Sequence, residues 1–280
     1  MKKYIITMLG LLVMLSCGQK PRSSSIVDND DEDDDDERVE LKLKNYTFSQ
    51  QEGMAHCALT VAYPTKGDRK LVNAIRTYIA EQADLESDEV ELTDGQGVTD
   101  YYGQQLMDQL RQLALDYEGD DYVTEVYHNW RFKKIFENDD CVTFMGESSV
   151  YEGGVHGIEY EHGITFFQEG GQRFTADMLK ATDSPRFQQL LLDGLRQFFS
   201  TEGHTLTDEE LAEELIAVED IHNIPMPQAQ PYITAEGVTF VYQPYEISYY
   251  GAGLPKVHIP LRQMKPFLSR KAQRLLHMDD

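Results

Sequence analysis

Asn138 to Gly171 reads NDDCVTFMGESSVYEGGVHGIEYEHGITFFQEGG, and its punctuation decides the fold class. Asn138-Asp139 is turn chemistry, Cys141–Tyr151 and Ile158–Phe167 are strand-length runs, and Gly170-Gly171 punctuates a further hairpin. Upstream, Val39–Ser49 alternates as a strand, and Met54–Tyr63 is a second strand closed by Pro64. Leu71, Val72, Ile75, Tyr78 and Ile79 carry helical spacing over 68–83. Residues 84–98 read as loop, and Thr99 or Asp100 caps a helix bearing Leu106, Leu110, Leu113 and Tyr117. Tyr122–Phe136 is then a long strand.

Downstream, Ser184-Pro185 opens a helix with Phe187, Leu191, Leu195 and Phe199 on its apolar stripe. Asp208–Val218 is a short acidic helix, and residues 219–231, with three prolines, are loop. Tyr232–Tyr242 is a hairpin around Glu236-Gly237, Val257–Ile259 a short strand, and Leu261–Leu268 a closing helix. Strands and helices come in runs without strict βαβ alternation. That pattern predicts an α+β fold, mainly antiparallel sheet with packed helices.

The first residues read as an address. Lys2 and Lys3 precede an apolar run, Ile5–Leu15, that is too short to span a bilayer. The LSC-G sequence at residues 15–18 is the lipoprotein form of an export signal. Residues 1–16 are then the signal peptide and Cys17 the lipidated N-terminus of an exported, membrane-anchored protein in the periplasm or at the cell surface. Residues 17–37, ending in the acidic run 28–37, read as a solvated tether.

The chain carries 25 basic and 49 acidic residues, a net −24. Setting aside residues 1–37, with four basic and nine acidic, leaves −19 on the folded part. That balance excludes general nucleic-acid binding and favours a basic partner. In an exported chain Cys57 and Cys141 can form a disulfide if their strands lie close; otherwise they are buried thiols.

Tyr151–Gly163 is one distinctive stretch, with Gly153, Gly154 and Gly157 around His156. On a strand His156 and His162 would share a face, but some 20 Å apart, so no metal or cofactor is expected. Tyr242–Gly253, YQPYEISYYGAG, is the other; it crowds aromatics around one acid, Glu246. Glu246 is either a general acid of a glycan-acting hydrolase or a loop residue bonded to backbone. The chain has no G-x-S-x-G elbow, H-E-x-x-H, P-loop or dinucleotide fingerprint.

Two segments, VYEGGVHGIEYEHGITFFQEGGQRFTADML (150–179) and GVTFVYQPYEISYYGAGLPKVHIPL (237–261), carry a resemblance. Together they resemble an extracytoplasmic family of unknown function. Its domain forms the outer part of RsiV-type, lysozyme-sensing anti-sigma factors and accompanies the catalytic domain of PdaC-type peptidoglycan deacetylases. The resemblance implies an α+β fold of two lobes, here 38–160 and 161–280, in a cell-envelope setting. It implies no activity, because this chain carries neither a sigma-binding segment nor a deacetylase domain.

The expectation is therefore a lipid-anchored binding protein without catalysis. Its ligand is a basic protein such as lysozyme, or a peptidoglycan or other envelope glycan. Gly153, Gly154, His156, Tyr245, Glu246, Tyr249 and Gly253 are the ligand-lining or structural candidates. The rival expectations are a hydrolase using Glu246 and an architectural lipoprotein of an envelope complex.

Overall fold

The computed structural model describes residues 39–85 and 89–278. The signal segment, Cys17 and the tether to Glu37 lie outside the described residues. The fold is mixed α+β, built on one five-stranded and one three-stranded sheet. Among the described residues no helix is long and apolar enough to cross a membrane.

The large sheet has the order β1 (Lys42–Glu52), β2 (Ala55–Lys66), β3 (Val126–Glu137), β4 (Cys141–Tyr151), β5 (Ile158–Phe167). All its pairs are antiparallel except β2 with β3, which run parallel. That pair needs a long crossover, supplied by α1 (Arg69–Gln82) and α2 (Gly95–Asp116). The tight β3–β4 turn follows from Asn138, whose Oδ1 accepts the amides of Asp140 and Cys141.

Strand alternation sorts the two faces of this sheet. Cys57, Leu59, Val61, Trp130, Phe132, Phe144 and Phe166 point to the helices and form one core with Leu71, Ile75, Leu106 and Leu110. On the opposite face, the far half of β4 and β5 is covered by the C-terminal part of the chain. There α3 (Pro185–Phe199), α4 (Asp208–Glu214), α5 (Leu261–Met264) and α6 (Arg270–Leu275) surround the small sheet. That sheet comprises β6 (Tyr232–Thr234), β7 (Gly237–Val241) and β8 (Lys256–Ile259), in that order. Cys141, Phe167, Phe187, Leu191, Phe240 and Val257 lie in this second core.

A buried polar ring joins the two sheets. Thr143 Oγ1 lies 2.6 Å from the Ile233 carbonyl and 2.7 Å from Thr165 Oγ1, which in turn lies 2.8 Å from the Ile233 amide. Only one proton arrangement satisfies all three contacts. The Thr143 hydroxyl donates to the carbonyl, so Thr165 donates to Thr143 and accepts the amide.

Several sequence expectations need correction. Pro64 does not close β2, which continues to Lys66; β3 pairs with β2 only as far as Val61, so no partner on that side needs the missing N–H. Helix α2 begins at Gly95, capped by Asp94 rather than by Thr99 or Asp100. Gly95 is required there because a Cβ would lie 2.5 Å from the Tyr46 ring. Helix α4 ends at Glu214, short of Val218. The closing helix breaks after Met264 into a 3₁₀ turn, Lys265–Phe267, and α6 follows.

Candidate functional site

The two distinctive stretches, 89 residues apart at His156 and Tyr245, meet at one end of the large sheet. His156 is not on a strand. It sits in the 152–157 loop, and β5 starts at Ile158, so the shared face expected for His156 and His162 does not exist. The loop is shaped by Gly153 (φ +93°) and Gly154 (φ +104°), conformations that side chains rarely adopt. At Gly153 a Cβ would also lie 2.2 Å from the Tyr117 hydroxyl, which donates to the Glu152 carbonyl at 2.9 Å.

The His156 ring stacks on Tyr250 with centroids 3.7 Å apart, and Tyr250 stacks on Tyr245 at 5.9 Å. The Tyr250 hydroxyl donates to the Gly157 carbonyl at 2.7 Å, and His156 Nδ1 lies 2.9 Å from the same oxygen. A carbonyl only accepts, so that contact puts the imidazole proton on Nδ1. His156 Nε2 is left as an acceptor facing the Tyr245 hydroxyl at 3.4 Å.

Tyr245 is held at φ +66°, a strained setting for a tyrosine, and its side chain is 55% exposed. The holding force is Glu246. Its Oε1 accepts the Gln228 amide at 2.6 Å and its Oε2 the Gln243 amide at 2.8 Å. Gln243 itself copies a strand edge: its side-chain amide donates to the Glu161 carbonyl at 2.7 Å and accepts the Glu161 amide at 3.3 Å. Tyr249 is also exposed, and its hydroxyl donates to Glu214 Oε2 at 2.8 Å. Accepting that proton, the Glu214 carboxylate holds the Tyr249 phenol above its ordinary range. Gly253 (φ +73°) closes the loop.

The result is a rim of exposed side chains, Val155 (98% exposed), Tyr245, Tyr249 and Ile216, on elements tied to one another. Segments 116–125, 152–158, 213–220 and 243–254, which supply and flank the rim, contain eleven carboxylates and no Lys or Arg. All seven expected positions fall in this region. Tyr250, at the centre of the stack, was not among them, although the quoted motif contains it. Tyr117 and Glu214 carried no local signal, because their roles exist only once distant segments meet; Gln243, like Tyr250, lies within the quoted motif.

Cys57 and Cys141 are free, and the expected option of a bridge fails on register. Cys57 pairs with His128, whereas Cys141 adjoins the far end of β3 at Glu137, about 30 Å along the strand. Among the described residues no three His, Cys, Asp or Glu side chains are grouped to hold a metal ion.

Comparison with known proteins agrees with this architecture. Residues 182–262 match the family model DUF3298, a protein family of unknown function. The match includes the Tyr242–Gly253 loop but not the His156 loop. A DUF3298 family protein from Bacteroides fragilis shares the fold at a TM-score of 0.65 and 19% identity, covering 85% of this chain and 97% of that one. A DUF3298 family protein from Pseudomonas aeruginosa superposes at 0.53 with 14% identity, covering 83% and 94%. No curated protein sequence matches the chain.

Proposed function

We propose that this chain is an exported, lipid-anchored envelope protein that binds a basic protein at the Tyr245 rim and performs no chemistry. The observation that carries the reading is the meeting of the two motif loops. They display exposed aromatic and aliphatic groups within a surround of carboxylates that has no countercharge. Aromatic anchors ringed by one sign of charge are the composition of a protein-binding patch, with the charge steering the encounter. The LSC-G signal supports the anchor. The resemblance to the outer domain of RsiV-type anti-sigma factors makes lysozyme, a small basic protein, the first candidate. Glu246 does not suit the hydrolase alternative: both its oxygens are committed to backbone amides, which is the work of a clamp.

The test is a titration of the full chain with a C-type lysozyme at low and near-physiological salt, alongside Tyr245→Ala. Saturable binding that survives salt and weakens at least tenfold in the folded variant is expected, about 1.4 kcal/mol or more. Binding that disappears at near-physiological salt, or that ignores Tyr245, would reduce the rim to unspecific charge and overturn the reading.

A further inference from the structure

A concavity separate from the rim lies on the large sheet, on the face away from α1 and α2. Beyond Met145 the C-terminal elements no longer cover β4, and the outward residues of four strands form an open floor. His56 and Thr60 come from β2, Asn129 and Arg131 from β3, Ser149 from β4 and Glu159 from β5. The cavity measures about 570 Å³, within the ordinary range of small-ligand sites. Four strands at the usual spacing make the floor about 14 Å wide.

Three properties set this groove apart from the rim. First, its charge is balanced. Glu147 pairs with Lys133 at 2.5 Å and Glu161 with Lys256 at 2.6 Å, while Arg131 and Glu159 add one charge of each sign. On a domain of net −19 this is a locally neutral surface. Second, donors and acceptors lie side by side across the floor in register: Asn129 faces Ser149 and then Glu159, and Arg131 faces Glu147, with Glu161 beyond it. Third, Asn129 Oδ1 is buried at the floor with no hydrogen-bond partner, alone in that among the buried side-chain oxygens and nitrogens of the described residues. A native fold rarely leaves such an oxygen unpaired, and a ligand hydroxyl or amide would repair it. Two residues along the same strands, Tyr127 and Tyr151 hold their rings 5.9 Å apart and offer apolar edges.

We propose that this groove binds a neutral oligosaccharide. An anionic polymer would meet the field of the acidic domain, and a cationic one would find no unbalanced carboxylates. A neutral chain of hydroxyl and acetamido groups, each able to donate and accept, matches this mixture of donors and acceptors. The site is separate from the rim and does not depend on the reading given for it.

The experiment is calorimetric titration of the full chain with tetra-N-acetylchitotetraose, with cellotetraose as the arm lacking acetamido groups and a Lys-rich peptide as the charged control. Saturable binding of a tetrasaccharide is expected, with the Lys-rich peptide ignoring the groove. Ser149→Trp fills the floor and should weaken saccharide binding at least tenfold; Asn129→Ala should weaken it severalfold. Tyr245→Ala should leave it unchanged, which separates this site from the rim. Circular dichroism and thermal melts confirm that each variant is folded. Absence of saturable binding by either tetrasaccharide at about 10 mM would overturn the proposal, as would affinity undiminished in folded Ser149→Trp.

Discussion

Replacing Thr143 with Val tests the joint between the two sheets. The side chains of Thr143 and Thr165 are fully buried, and Ile233 is 1% exposed, so no water replaces a lost partner. Valine keeps the volume and removes one hydroxyl. The Ile233 carbonyl then loses its donor and the Thr165 hydroxyl loses its acceptor. Each orphaned buried group costs about 1–3 kcal/mol, so Thr143→Val should lose about 2–6 kcal/mol. Thr165→Val orphans chiefly the Ile233 amide, for about 1–3 kcal/mol. The double variant should cost less than the sum by about 1 kcal/mol, because both singles remove the Thr–Thr bond. Thr143→Ser keeps the ring and should lose only about 1 kcal/mol for the methyl group. Urea unfolding of the four variants at neutral pH gives these numbers. A Thr143→Val midpoint within about 0.5 kcal/mol of wild type, or a Thr143→Ser loss as large as that of Val, would refute the ring as the joint.

Burial raises the thiols of Cys57 and Cys141 to about 12, so neither should react with a thiol reagent at neutral pH until the chain unfolds; prompt labelling of native protein would contradict their placement. Half-buried His128 is lowered to about 4 by desolvation, below the 6.5 of the unfolded chain. Between those values the unfolded state binds more protons, so the stability tied to His128 is complete above about pH 6.5 and falls away toward pH 4. The loss is at most about 3 kcal/mol, reduced by water at the partly exposed ring. Equilibrium unfolding against pH should show that slope flattened in His128→Gln, and an unchanged slope would exclude His128 as its source.

The local grammar of the chain was legible. The strands Cys141–Tyr151 and Ile158–Phe167 stand at the bounds their sequence marks, because Asn138 closes one turn through its own side chain and glycines interrupt the next. Helix α3 starts at Pro185, where Ser184 caps it. What failed to show was long-range. Nothing in β2 or β3 announces their parallel pairing, which is a consequence of where α1 and α2 pack. The start of α2 was hidden because two glycines look like loop, yet Gly95 is there to let the helix approach Tyr46. The same limit applied to the rim. Both loops were distinctive as strings, but the His156–Tyr250–Tyr245 stack is a fact about their meeting. The groove left no sequence signal at all: its floor is every second residue of four ordinary strands.

Glu161 shows how the two surfaces are bound to the same joint. Its backbone amide and carbonyl hold Gln243, from which the Tyr245 loop departs, and its carboxylate holds Lys256 of β8 at the wall of the groove. Gly163, two residues on, is tight against Tyr232 of the small sheet, where a Cβ would lie 2.2 Å from the ring. The edge of β5 therefore fixes the rim, the groove wall and the seam between the cores at once. Tyr245→Ala and Ser149→Trp each touch one surface and leave this edge intact, so each should remove one binding function alone. Thr143→Val loosens the seam from which both are hung. If both affinities fall in that variant while it remains folded, the C-terminal elements act as the positioning frame for both sites; if neither moves, each surface is fixed by its own loop contacts and the seam serves stability only.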